Sequence, residues 1–69
     1  MKIKVNGEEK KIELDQENAF LSTALNSMGY KHNTIVVELN KLIINSTKWE
    51  KLKVNDGDKL EIVSLVGGG

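Results

Sequence analysis

The sequence predicts an α+β roll, a mixed sheet packed on one main helix and ending in a flexible glycine tail. Three observations lead there. Apolar residues alternate with polar ones near both ends of the chain, at Ile3/Val5 and again at Leu60/Ile62, the two-residue period of half-buried strands. A single stretch changes to helical spacing, with Leu21, Ala24, Leu25 and Met28 at i, i+3, i+4 and i+7. Turn-forming stretches, Asn6-Gly7, Asn40-Lys41 and Asn55-Asp56-Gly57-Asp58, separate the apolar runs. Neither a narrow apolar helix stripe nor a one-sided sheet can bury itself alone, so each must cover the other.

Taken in order, Ile3 and Val5 form the first strand, Asn6-Gly7 offers the two positive-φ positions of a tight hairpin, and Ile12 and Leu14 resume the alternation. Because Glu8 to Lys11 between them are charged, the loop is read as a residue or two longer than the Asn-Gly turn alone. The helix starts at Asn18, whose side-chain carbonyl caps the first turn, runs about ten residues, and stops at Gly29. Phe20 lies off its stripe and covers an edge of the core. Ile35 to Leu39 is the next strand. Glu38 sets its register: with Glu38 and Val36 facing water, Ile35, Val37 and Leu39 face the helix. After the Asn40-Lys41 turn comes a short strand, Leu42-Ile43-Ile44, then a single helical turn capped by Ser46 and ending in the only tryptophan, Trp49. Trp49, Leu52 and Val54 close the bottom of the core. Lys59 to Val66 is the last strand, with Leu60 and Ile62 inward and Glu61, Val63 and Leu65 outward.

Composition excludes several function classes. Sixty-nine residues make one domain, with a stability of about 3–5 kcal/mol and no room for a deep catalytic cleft. Without cysteine there is no disulfide, thiolate nucleophile or zinc knuckle, which fits a reducing, cytoplasmic setting. Ten basic and ten acidic residues cancel, so nucleic acid and anionic membranes are disfavoured partners. The amino terminus begins strand alternation at once, and the chain is read as soluble and unprocessed.

Half of the six glycines stand in the last three positions, Gly67-Gly68-Gly69. A glycine run is either a floppy end or a segment made to lie extended in a narrow channel. In the second case it carries a terminal carboxylate roughly 10 Å beyond the last packed strand. If the Ile35–Leu39 strand and the last strand are neighbours, Val36, Val63 and Leu65 form an apolar patch at the root of the tail, a candidate docking surface.

Val5-Asn6-Gly7-Glu8, Val37-Glu38-Leu39-Asn40, the Trp49 turn, Asp56-Gly57-Asp58 before Leu60-Glu61-Ile62-Val63, and the terminal Val66-Gly67-Gly68-Gly69 together resemble the ThiS family of thiamine-biosynthesis sulfur carriers, a branch of the MoaD/ThiS proteins. The resemblance covers nearly the whole chain. It departs from the family pattern at Asn45, often proline there, and at Asn18, often threonine. It implies a ubiquitin-like β-grasp domain over residues 1–66 and a flexible tail over 67–69. It further implies that the chain is no enzyme but a protein-bound sulfur donor with no cofactor of its own. Gly69 is then the site of adenylation and thiocarboxylate formation, and Gly68 lets the backbone pass a narrow gate. Val36, Val63, Leu65, Val66 and Gly67 engage partners. Those partners are a ThiF-like adenylyltransferase that uses ATP, a sulfur-donating persulfide enzyme and a ThiG-like thiazole synthase. Two alternatives stay open: a MoaD-like small subunit of molybdopterin synthase, and a β-grasp interaction module whose tail is incidental.

Other polar residues carry blander readings. His32 is read as an exposed loop residue with no second ligand at a metal spacing. Asp56 and Asp58 are read as turn residues. Ser22, Thr23, Ser27, Ser46 and Thr47 lack a neighbouring base that would make a nucleophile.

Overall fold

Strand β1 (Lys2–Val5) buries Ile3 and Val5 and exposes Lys2 and Lys4, so the first strand lies where alternation puts it. The computed structural model describes residues 1–65. Asn6 and Gly7 turn the chain with φ of 52° and 84°, the doubly positive geometry that matches strand twist in a two-residue hairpin. Strand β2 is Glu8–Lys11, exposed throughout, and pairs antiparallel with β1 from Val5↔Glu8 to Lys2↔Lys11. This corrects the sequence expectation, which lengthened the loop by a residue or two into this stretch and recognised the returning strand at Ile12 and Leu14. The turn is as tight as two residues allow, so the returning strand starts at Glu8. As a sheet edge it needs no apolar face, and its charges discourage pairing with another chain. Ile12 extends the ladder one step, exchanging bonds with Met1 in both directions at 2.9 Å, and there turns into the core.

Helix α1 spans Leu21–Ser27, with Phe20 at its N-cap position. Its cap position falls two residues later than expected, and Asn18 is not its cap. Asn18 instead closes a 3-10 turn (Gln16–Asn18), its amide donating to Asp15 Oδ1 at 3.2 Å. Phe20 is held extended at φ −75°, ψ 152° by a bridge to Lys53, which prevents an earlier start. Phe20 is half-buried there, under the Lys53 ammonium 5.5 Å from its ring centre. The other end is as expected. Gly29 takes φ 87°, and amide bonds Tyr30→Leu25 O and Gly29→Asn26 O, both 3.0 Å, close the helix with the paired pattern of a Schellman motif.

Strand β3 (Ile35–Leu39) buries Ile35, Val37 and Leu39, in the register inferred from Glu38. Asn40 and Lys41 form a second doubly positive turn, φ 50° and 74°, into β4 (Leu42–Ile44). The following 3-10 turn (Ser46–Lys48) is capped by Asn45 rather than Ser46: Asn45 Oδ1 accepts from the Thr47 amide at 3.0 Å. Strand β5 covers Lys59–Ser64, where the sequence expectation ran on through Leu65 to Val66. Leu65 lies beyond it, and Val66 lies outside the described residues.

The sheet order is β2-β1-β5-β3-β4. β5 is central, parallel to β1 and antiparallel to β3. One face packs on α1, Trp49 and Val54 around a core that includes Ile3, Val5, Val37, Leu60 and Ile62; Leu52 is half-buried against it. The opposite face is open.

Candidate functional site

The strand that leads toward the glycines is held harder than its neighbours' backbones alone would hold it. Asn6 donates from Nδ2 to Ile62 O at 3.2 Å and accepts at Oδ1 from the Ile62 amide at 2.7 Å. It thereby continues the β1–β5 ladder past the end of β1 with a side-chain amide. Asn40 does similar work from the other hairpin, accepting at Oδ1 from the Lys59 amide at 3.0 Å and donating to Asp58 Oδ1 at 3.1 Å. Both asparagines sit at positive φ, which their short side chains tolerate. Turn residue and clamp are one side chain.

Pairing of β3 with β5 sets Val36 opposite Val63 and Glu38 opposite Glu61 on the open face. Val36 is half-buried, while Val63 and Leu65 are 58% and 60% exposed. The Leu65 amide donates to Thr34 O at 2.6 Å, so Leu65 stays tied to the sheet margin beside Val36 and Val63. The expected patch is therefore assembled at the carboxyl end of β5. Val66, Gly67, Gly68 and Gly69, also expected to belong to the site, lie outside the described residues, as does the proposed boundary between domain and tail.

Ile43 was missed as a site residue. It stands opposite Glu38 on β4 and is 72% exposed, which adds an apolar side chain to the open face. The signal was present: a two-residue turn at Asn40-Lys41 places 39 opposite 42 and 38 opposite 43, so a water-facing Glu38 implies a water-facing Ile43.

The remaining polar candidates have structural duties. His32 is not an exposed loop residue. It is half-buried in a 3-10 turn (His32–Thr34) with its ring edge-on to Trp49, centroids 5.3 Å apart at 81°. Trp49 is 2% exposed and donates from Nε1 to Ile44 O at 3.0 Å. Asp56 Oδ1 accepts from the Lys2 amide at 2.6 Å, and Asp58 Oδ2 from the Asn55 amide at 2.7 Å, as turn residues should. Ser27 Oγ donates to Ala24 O at 2.8 Å and Thr47 Oγ1 to Asn45 Oδ1 at 2.9 Å. Among the described residues no three His, Cys, Asp or Glu side chains gather as metal ligands, and no helix is long and apolar enough to cross a membrane. A surface concavity of about 400 Å³ is lined by Thr47, Lys48, Lys51 and Leu52 and brings no nucleophile–base pair together. The chemistry this arrangement offers is presentation: a clamped central strand with an apolar root.

The ThiS family model matches residues 3–69, the glycines included. The chain belongs to the ThiS family. It is thus a small sulfur carrier protein of thiamine biosynthesis by family, with the ubiquitin-like β-grasp fold. Sulfur carrier protein ThiS of Bacillus subtilis (strain 168) is 31% identical over 67 residues, covering 97% of this ThiS-family chain and 98% of that protein. A thiazole synthase of Paramagnetospirillum magneticum is 36% identical over 69 residues, all of this chain but 20% of that protein's length. The crystal structure of the thiamine biosynthesis protein ThiS from Geobacter metallireducens superposes with a TM-score of 0.82, covering both chains completely at 24% identity. That likeness speaks for the fold.

Proposed function

We propose that this chain carries sulfur to thiazole synthase as a thiocarboxylate on Gly69. A carboxylate is a poor electrophile, because its delocalised charge repels nucleophiles, so activation comes first. A ThiF-like adenylyltransferase joins a Gly69 carboxylate oxygen to the α-phosphorus of ATP and releases pyrophosphate. The terminal sulfur of an enzyme persulfide then attacks the acyl carbon and AMP departs. A thiol cleaves the resulting acyl disulfide, which leaves the thiocarboxylate and a disulfide. Polarisable sulfur is delivered from there to an electrophilic carbon on a ThiG-like thiazole synthase. The groups that neutralise phosphate charge belong to the adenylyltransferase; this chain supplies the reacting end and the surface by which it is held, in the cytoplasm.

The observation that carries the reading is the family match running through Gly69, in a chain whose last strand ends in an exposed apolar patch. Thiazole synthase as recipient is supported by the Paramagnetospirillum relative, in which a stretch similar to this whole chain lies within a protein of that name.

Intact-mass measurement after incubation with the adenylyltransferase, ATP and a persulfide donor tests it. One oxygen should be exchanged for sulfur at the terminus. One extra residue after Gly69 should abolish that exchange, and thiocarboxylation at Gly69 of the uncleaved, extended chain would overturn the reading. Removing Gly68 and Gly69 should likewise abolish it while the domain still folds.

A further inference from the structure

The open face of the sheet is ordered in rows across the strands. Nearest the end of β5 lies the apolar row, Val36 opposite Val63, with Leu65 beyond. One step back along β5, about 7 Å away, Glu38 and Glu61 stand directly opposite each other, with Ile43 beside Glu38. One step further, Lys4 stands beside Lys59. Like charges on directly opposed residues work against strand pairing, and of the like-charge pairs in this sheet, Lys2/Lys11, Lys4/Lys59 and Glu38/Glu61, the glutamates are the acidic one and the one flanked by exposed apolar side chains. Among the described residues the ion pair is Lys2–Glu9 at 3.8 Å, and neither Glu38 nor Glu61 takes part in one.

Water screens this repulsion while the face is open. Once a partner covers Val36, Val63 and Ile43, the two carboxylates between them lose solvent and need a counter-charge, since uncompensated burial of an ion is costly. A guanidinium can serve two carboxylates at once with its fork of donors.

Resting on the sulfur-carrier reading, we infer that the adenylyltransferase reads this row order. It sets apolar side chains on Val36, Val63 and Ile43 and an arginine or lysine between Glu38 and Glu61. That partner receives the tail while its end is a free carboxylate, so a cationic approach surface suits both anions. The row behind fixes direction: Lys4 and Lys59 stand side by side there, with Glu9 opposite Lys4 on the β2 flank, so a carrier docked in reverse would bring the partner's cation onto the β1–β5 lysines. The like-charge pair thus sacrifices stability in the free carrier for orientation in the complex.

The test is ATP–pyrophosphate exchange by the adenylyltransferase from the same genome, with KM for the full-length carrier measured across a salt series. In the double variant Glu38→Gln/Glu61→Gln, KM should rise about tenfold and lose much of its salt dependence, while kcat holds. Its urea midpoint should equal or exceed that of the unaltered protein. Glu50→Gln, an exposed carboxylate away from the sheet, should change neither. An unchanged KM and salt slope in the double variant overturn the inference, and so does a raised KM accompanied by a lowered urea midpoint. Failure of the unaltered carrier to support exchange overturns the sulfur-carrier reading along with it.

Discussion

Asn6 shows how much one side chain does in a domain this small. It accepts the positive φ of the hairpin and supplies two hydrogen bonds to Ile62. The two roles can be separated. Asn6→Gly keeps the turn and leaves the Ile62 amide without its partner, for a cost of about 1–3 kcal/mol. Asn6→Ala adds the left-handed strain of a β-carbon, about 1–2 kcal/mol more, and urea denaturation should rank the two in that order. Trp49 is the other heavily used residue, filling the core and bonding to Ile44 O. Trp49→Phe removes the indole bond and leaves a gap against His32, so the midpoint should fall by the equivalent of about 1–3 kcal/mol with the fold intact by NMR. Neither the Asn6 clamp nor the His32–Trp49 contact was legible in the sequence. Asparagine before glycine announces a turn, but not which distant strand its amide will reach, and the polar neighbours of His32 concealed a ring held against the core.

The elements were more legible than their ends. Wherever alternation met a charged marker, as at Glu38 and Glu61, the register followed, because a one-residue slip would turn every apolar side chain toward water. Where an edge strand buried nothing, as in Glu8–Lys11, there was no apolar pattern to read. Caps failed for a different reason. Asn18 and Ser46 are good cap residues, but the first amides of α1, those of Leu21 and Ser22, donate to Leu52 O and Trp49 O, and Asn45 takes the Thr47 amide at the second site. The candidate patch was legible to the extent that strand adjacency was: Val36, Val63 and Leu65 follow from β3 lying beside β5, and Ile43 needed the pairing of β4 as well. Val63 is on the open face of β5, so Val63→Asp should leave the denaturation midpoint within about 0.5 kcal/mol of the original. The same change should raise KM for the carrier in the exchange assay severalfold. A cooperative loss of structure in this variant would place Val63 in the core and refute the outward register.

At the scale of the whole molecule, the fold spends most of its residues on holding one strand. β5 has β1 on one side and β3 on the other. Backbone bonds such as Asn6→Leu60 O at 2.8 Å and Asn40→Lys59 O at 2.8 Å, with both asparagine side chains, grip it from each flank. A domain of 69 residues has only about 3–5 kcal/mol to resist disruption, so the direction in which stress arrives matters. An enzyme that draws the terminus into its active site tugs along the axis of β5. Bonds on both flanks lie across that axis and are loaded together in shear, where an outer strand would peel away one bond at a time. The carrier can be towed by its end without being unravelled.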